Sequence, residues 1–264
     1  MHYVTRPWLL ATILAMLTAG CGEEPGANDF EKYHAKALKG DPAAQFNLGV
    51  CYVRGESVAK DEAEAVKWWR RSAEQGFVLA QFNLGGCYKD GDGVTKDPVE
   101  GVKWFRKAAE QGYASAQHLL GTCYQEGIGV AKDEVESVKW YKKAAAQGEL
   151  AAQLSLGICY LSGRGVDKNP AEAVKWWHKA ADQGEVAAQR QLGVHYEFGE
   201  GVAKDEVEAY AYYNLAATTD ESAKEKRDNL EKKLSSDARF QGQQRTRELQ
   251  KEIETKIAAK AARN

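Results

Sequence analysis

The chain has 264 residues, a formal net charge of -2 and an aromatic content of 10%. A nearly neutral chain gives no overall electrostatic reason to bind nucleic acid, so we expect no such partner. The aromatic content favours a packed interior over disorder.

The first predicted element is a processing signal over residues 1–20. Residues 8–19 form an apolar stretch that is shorter than the ~20 residues of a membrane-spanning helix. The stretch leads into Thr-Ala-Gly and then Cys21. This ending resembles the lipobox of bacterial lipoproteins, although Thr18 stands where that family usually has leucine. In that family the signal is removed and lipid is added to the cysteine sulfur.

The resemblance implies a chain that starts at Cys21 and is lipid-anchored in the bacterial cell envelope. Gly22 is not the aspartate of the family's inner-membrane retention pattern, which implies the outer membrane in a cell with two membranes. The alternatives are a secreted or periplasmic chain, an uncleaved anchor or a cytosolic chain. Residues 21–28 are polar and contain Gly and Pro, which predicts a flexible tether.

Residues 29–40 are predicted to form a single helix that caps the segment after it. Phe30, Tyr33, Ala37 and Gly40 align with four positions of a helix 36 residues further on. A capping helix is what an array of small units needs at its open end.

The segment 41–220 repeats five times with a period of 36 residues. Cys51, Cys87, Cys123 and Cys159 follow one another at this spacing. Such a period is typical of small structural units that bury their apolar faces only against neighbours. The predicted repeats are 41–76, 77–112, 113–148, 149–184 and 185–220.

Each repeat is predicted to form two helices joined by a glycine turn. In the first repeat, Leu48 belongs to one apolar helical stripe, and Asp61 has the position of an N-cap for the second helix. Gly76 follows as its C′ residue. Gly49 lies inside the first helix, where glycine costs about 1 kcal/mol against alanine. Because every repeat keeps this glycine, we expect a close approach of the partner helix there.

These residues carry a resemblance to a known family. The pattern Ala-x-x-x-Leu-Gly-x-x-Tyr-x-x-Gly-x-Gly-Val, followed by Lys-Asp and an aromatic pair before Ala-Ala-x-Gln-Gly, is similar to the Sel-one-like repeat, a relative of the tetratricopeptide repeat. The resemblance implies an all-α fold: a right-handed α-solenoid of five helix-turn-helix repeats with capping helices at both ends. The first helices of the repeats would line its concave face.

The tail, residues 221–264, is predicted to form a charged helical cap. Leu230 and Leu234 could cover the fifth repeat. Leu249, Ile253 and Ile257 form a thin apolar stripe on a second helix. The stripe is compatible with a solvated helix or with one that docks a partner or a membrane surface.

No reaction centre is evident in the sequence, so we expect no catalytic residue, no metal and no cofactor. Equivalent cysteines of neighbouring repeats should lie ~10 Å apart, beyond the ~7 Å Cα separation that a disulfide allows. We therefore expect buried thiols without disulfides. The glycine turns follow helices instead of strands, which argues against phosphate-binding loops.

The predicted partner-binding surface is the part of each first helix that packing does not use. By resemblance to tetratricopeptide grooves, these positions form one helical face per repeat. The candidate groove residues are Phe46, Val50, Arg54, Phe82, Lys89, Asp90, His118, Gln125, Glu126, Leu154, Ile158, Leu161, Arg190, Glu197 and Phe198.

The sequence thus predicts a non-enzymatic, monomeric scaffold or adaptor that binds a protein or peptide in this groove. One alternative is a β-lactam-binding or hydrolysing enzyme, because some cysteine-rich relatives of the family have been linked to that activity. A second alternative is binding of cell-wall glycan, and a plain solvated face is the third.

Overall fold

The computed structural model describes residues 29–55 and 57–262. These residues form thirteen α-helices and no strand. Their bounds are α1 Asp29–Leu38, α2 Pro42–Arg54, α3 Glu62–Glu74, α4 Val78–Asp90, α5 Pro98–Glu110, α6 Ala114–Glu126, α7 Glu134–Ala146, α8 Leu150–Ser162, α9 Pro170–Ala181, α10 Val186–Phe198, α11 Glu206–Ala216, α12 Glu221–Glu231 and α13 Ser236–Ala261. The predicted all-α architecture is confirmed.

The predicted signal, the tether and Cys21 lie outside the described residues. Among the helices that are described, none is both long enough and apolar enough to cross a bilayer. The chain divides between Asp133 and Glu134 into two compact units. The first unit contains α1–α6 and the second contains α7–α13.

The helix ends follow the predicted capping chemistry. The carboxylate of Asp61 accepts a hydrogen bond from the backbone N–H of Glu64 at 2.9 Å, and Asn169 caps α9 in the same way. Glu64 itself pairs with Lys67 at 2.6 Å instead of returning to the cap. The first helices end at glycines in the left-handed region, such as Gly91 at φ 89°.

The glycine inside the first helix makes room for an aromatic ring in four of the repeats, at Gly49, Gly85, Gly157 and Gly193. A Cβ atom built on Gly157 would lie 2.7 Å from Cδ1 of Trp177, with two other indole atoms closer still. Gly85 faces Phe105 of the same repeat in the same way. The predicted close approach is therefore confirmed, and it is a side-chain ring of the second helix that requires the space.

Buried glutamines join successive repeats. Gln81 donates from Nε2 to the carbonyl of Ala73, at the end of the preceding second helix, at 3.2 Å. Its Oε1 accepts from Nε2 of Gln111 at 2.7 Å. Gln153 makes the same two contacts in the second unit, with Ala145 and Gln183. We call this pair of hydrogen bonds the glutamine bridge.

Capping helices close the repeats in both units. In the first, Phe30 and Tyr33 of α1 pack against a cluster that contains Ala37, Leu48 and Trp68. In the second, Leu230 and Leu234 pack on Ala209, Tyr210 and Tyr213 of the last repeat. The predicted caps at the two ends are therefore present.

Candidate functional site

The apolar groove positions of the first two repeats are buried in the structure. Phe46, Val50 and Phe82 each expose 1% of their surface. The ring of Phe46 lies 5.2 Å from that of Phe77, and the ring of Phe82 lies 5.0 Å from that of Tyr113. The residue that begins the next repeat is thus aromatic in both cases and covers the groove position. The expected exposed apolar face is not present at these three residues.

The polar groove positions of the first unit remain nearer the solvent. Lys89 and Asp90 form an ion pair at 2.6 Å. Arg54 and Gln125 are half-buried, and Glu126 is exposed. The ion pair and the exposed carboxylate leave this face polar.

His118 is the titratable groove residue of this unit with a strongly shifted pKa. Burial lowers the pKa of its imidazole to about 4, because the charged form loses hydration. The imidazole is therefore neutral at pH 7.

The second unit keeps an exposed apolar face at the groove positions of α8. Leu154 and Leu161 are half-buried and pack on the core that contains Trp177. Ile158 lies between them on the same helical face and exposes 46% of its surface. The exposed side chain of Ile158 thus stands on an ordered apolar base.

The groove positions of α10 add one exposed ring and two engaged charges. Phe198 exposes 62% of its surface. Arg190 pairs with Asp220 at 2.8 Å, and Glu197 accepts a hydrogen bond from the hydroxyl of Tyr213 at 2.8 Å. The two charges are thus held by neighbours, and Phe198 is the exposed one of the three α10 groove residues.

The repeated cysteines are packing residues. Cys51, Cys87, Cys123 and Cys159 are all buried. Burial raises the pKa of the Cys123 and Cys159 thiols to about 11, so both are protonated at neutral pH. Within the part of the chain that is described, no cluster of three His, Cys, Asp or Glu residues could hold a metal ion.

Sequence reasoning missed how α13 is held. Arg245 donates to both carboxylate oxygens of Glu208, from Nε at 2.8 Å and from Nη2 at 3.2 Å. Leu249 and Ile253 are buried in the core of the last two repeats. The helix is therefore docked on its own chain and is not a solvated helix. One signal was available, because Ala211 replaces the lysine that pairs with this glutamate in earlier repeats.

A second missed feature is a cluster around His178. Its Nε2 lies 3.2 Å from the hydroxyl of Tyr196, and its Nδ1 lies 3.2 Å from that of Tyr212. The two tyrosine rings stack with centroids 5.8 Å apart. Burial lowers the pKa of His178. The cluster fixes α9, α10 and α11 to one another.

Helical hairpins that repeat every 36 residues, each with a glycine at the end of its first helix, define the class of α-solenoid repeat proteins. The family model that matches is the Sel1 repeat, over residues 42–77, 78–113, 114–149, 150–185 and 186–218. The chain belongs to the Sel1 repeat family. Proteins of this family are generally protein-interaction scaffolds, and their fold is typically non-catalytic.

Solved structures that are similar to the chain include two with more than 30% sequence identity. A Sel1 repeat protein from Oxalobacter formigenes has 36% sequence identity and a TM-score of 0.66, over 75% of this chain and 83% of the other. The protein c5321, a protective antigen of uropathogenic Escherichia coli with an SLR fold, has 33% identity and a TM-score of 0.56. That match covers 89% of this chain and 59% of the antigen. No curated protein matches the chain.

Proposed function

We propose that this protein is an envelope-anchored scaffold that binds another protein through the groove face of its fourth and fifth repeats. The observation that carries the proposal is the exposure of Ile158 and Phe198 on first helices whose other apolar side chains are packed. Exposed aliphatic and aromatic side chains on a rigid base are the usual anchors of protein interfaces. Family membership supports the scaffold role.

The rigid base of this face reduces the entropy that binding would cost. Leu154 and Leu161 rest on the core around Trp177, and the Arg190–Asp220 ion pair fixes the base of α10. A partner would therefore order few groove side chains on binding, which favours affinity.

Substitution of the two anchors tests the binding face. We expect Ile158→Asp and Phe198→Asp each to reduce capture of a specific set of envelope proteins at least about tenfold, since the loss of an interface anchor costs more than ~1.4 kcal/mol. The readout is quantitative mass spectrometry of proteins captured by immobilised chain from a detergent extract of cell envelopes.

Val135→Asp is the matched control for this experiment. Val135 exposes 55% of its surface in the same unit but lies on a second helix. Capture should therefore be unchanged in this variant. If all three variants lose the same proteins, or if neither groove variant loses any, the groove is not the binding face.

The anchoring part of the proposal rests on Cys21 and the lipobox-like residues before it. Lipid on this residue would place the repeats next to a membrane surface. Labelling of cells with an alkyne fatty acid should tag the wild-type chain and Cys51→Ser, but not Cys21→Ser. An untagged wild-type chain, or a tagged Cys21→Ser variant, would show that the anchor is wrong while leaving the binding face open to its own test.

A further inference from the structure

The junction between the fourth and fifth repeats is occupied by the chain's own last helix. Lys256 of α13 donates to a carboxylate oxygen of Asp182 at 2.7 Å. Lys260 donates to the side-chain oxygen of Gln183. Ile257 lies against Gly184, with Cδ1 at 3.6 Å from a Cβ atom built on the glycine.

One side of this contact is formed by Leu150 and by the turn residues Asp182, Gln183 and Gly184. We call Leu150, Asp182, Gln183 and Gly184 the junction seat. Its cleft has a volume of about 410 Å³ and is closed on the other side by Lys256, Ile257 and Lys260. The seat thus combines an acidic group, an amide oxygen and a bare backbone turn that admits a branched side chain.

The first unit contains a copy of the seat that keeps an aliphatic residue at the position of Leu150. Two repeats earlier in the sequence, the same positions are Val78, Glu110, Gln111 and Gly112. The apolar, acidic, amide and glycine characters are all kept.

The local geometry of the two copies is also alike. Gly112 has φ 92° and Gly184 has φ 84°. Gln111 donates to the carbonyl of Gly76 at 3.1 Å, as Gln183 does to that of Gly148 at 3.4 Å. The same side-chain network therefore holds both turns.

The copy around Gly112 is open. Apart from Gly112 and its two chain neighbours, no heavy atom of the described residues lies within 4 Å of a Cβ atom built on this glycine. Glu110 and Gln111 are exposed. Two other turns of this unit are open too. The turn at Gly76 keeps Glu74 and Gln75 at the acidic and amide positions, but Pro42 stands where the other two seats have an aliphatic residue. At the turn of Gly40, Leu38 and Lys39 occupy the acidic and amide positions. A lysine-bearing helix would find no acidic group there.

We propose that the seat of Val78, Glu110, Gln111 and Gly112 docks an amphipathic helix of a partner protein. By analogy with α13, the partner helix presents lysines four residues apart with an aliphatic residue directly after the first. The lysines face Glu110 and the side-chain oxygen of Gln111, and the aliphatic side chain lies on Gly112. None of the four seat residues belongs to the groove face, so the inference does not depend on the proposed function.

Photo-crosslinking with a synthetic copy of α13 tests the inference. The probe is a peptide of residues 236–261 with photo-leucine in place of Ile257, added to the full chain at up to about 1 mM, because few contacts give weak binding. The tethered α13 has an effective concentration in the millimolar range and keeps its own seat. We therefore expect crosslinks, located by mass spectrometry, at Val78 and residues 110–112.

Charge reversal distinguishes this site from general adhesion. Glu110→Lys should reduce these crosslinks about tenfold, and a peptide that also carries Lys256→Glu should restore them. The matched control is Glu225→Lys, an exposed residue of α12, which should leave the crosslinks unchanged. Crosslinks only at Leu150 and residues 182–184 would overturn the inference, and so would crosslinks at residues 74–76 as strong as those at residues 110–112. Crosslinks that persist in Glu110→Lys, or none at all, would also overturn it.

Discussion

The glycine that faces Trp177 offers a sharp test of how the repeats pack. In Gly157→Ala, the added methyl group would meet three atoms of an indole that is fully buried. Overpacking of this kind costs up to ~3 kcal/mol, whereas alanine gains ~1 kcal/mol over glycine in a helix. We therefore expect a net loss of about 2 kcal/mol in the free energy of unfolding, which corresponds to roughly 30-fold faster amide exchange.

Hydrogen exchange read by mass spectrometry can assign this loss to α8 and α9. Ser162→Ala, at an exposed position of the same helix, should be neutral or slightly stabilising and serves as the control for helix propensity. The double variant Gly157→Ala with Trp177→Leu should cost less than the sum of its parts, because the smaller side chain leaves room. If the single variant Gly157→Ala slows amide exchange in α8 and α9, the glycine is not needed to make room for the indole of Trp177.

Three further outcomes follow from the contacts. Gln81→Ala should lower the free energy of unfolding, measured in urea, by ~1–3 kcal/mol, because the buried carbonyl of Ala73 loses its donor and the amide of Gln111 loses one of its two acceptors. Gln81→Glu keeps only the acceptor and therefore tests the two bonds separately. The unfolded chain protonates His118 near pH 6.5 and the folded chain only near 4, so stability should fall as pH drops through this window and the slope should diminish in His118→Gln. Arg245→Ala should speed amide exchange throughout α13, whereas Arg247→Ala should not.

The helices and their ends could be predicted from the sequence because their determinants are local. An aspartate N-cap acts on a backbone N–H three residues away, and a turn glycine acts on its own φ angle. Asp61 and Gly91 behave as these rules require. Repetition strengthens the inference, since one ambiguous repeat is corrected by its neighbours.

The exposure of the groove positions could not be predicted from local sequence patterns. Phe46 and Leu154 occupy the same position of two repeats, yet only Phe46 is fully buried. The difference follows from the residue that begins the next repeat, which is Phe77 in one case and Glu185 in the other. A single-repeat template does not contain that information, because the contact joins two repeats.

The docking of α13 was missed for a related reason. Its partners Glu208 and Asp182 are 37 and 74 residues distant from Arg245 and Lys256, so no local pattern connects them. The stripe of Leu249 and Ile253 indicated a buried face but not what would cover it.

The glutamine bridge has a consequence for how chains of this type can change in length. Each bridge takes a carbonyl from the preceding repeat, and each repeat ends in an equivalent carbonyl, as Ala73 and Ala145 illustrate. A duplicated or deleted block of one period would join the remaining blocks through identical hydrogen bonds. Insertion of part of a block would instead leave a buried glutamine amide without its carbonyl acceptor. Gain or loss of whole 36-residue blocks therefore disturbs the hydrogen bonding least.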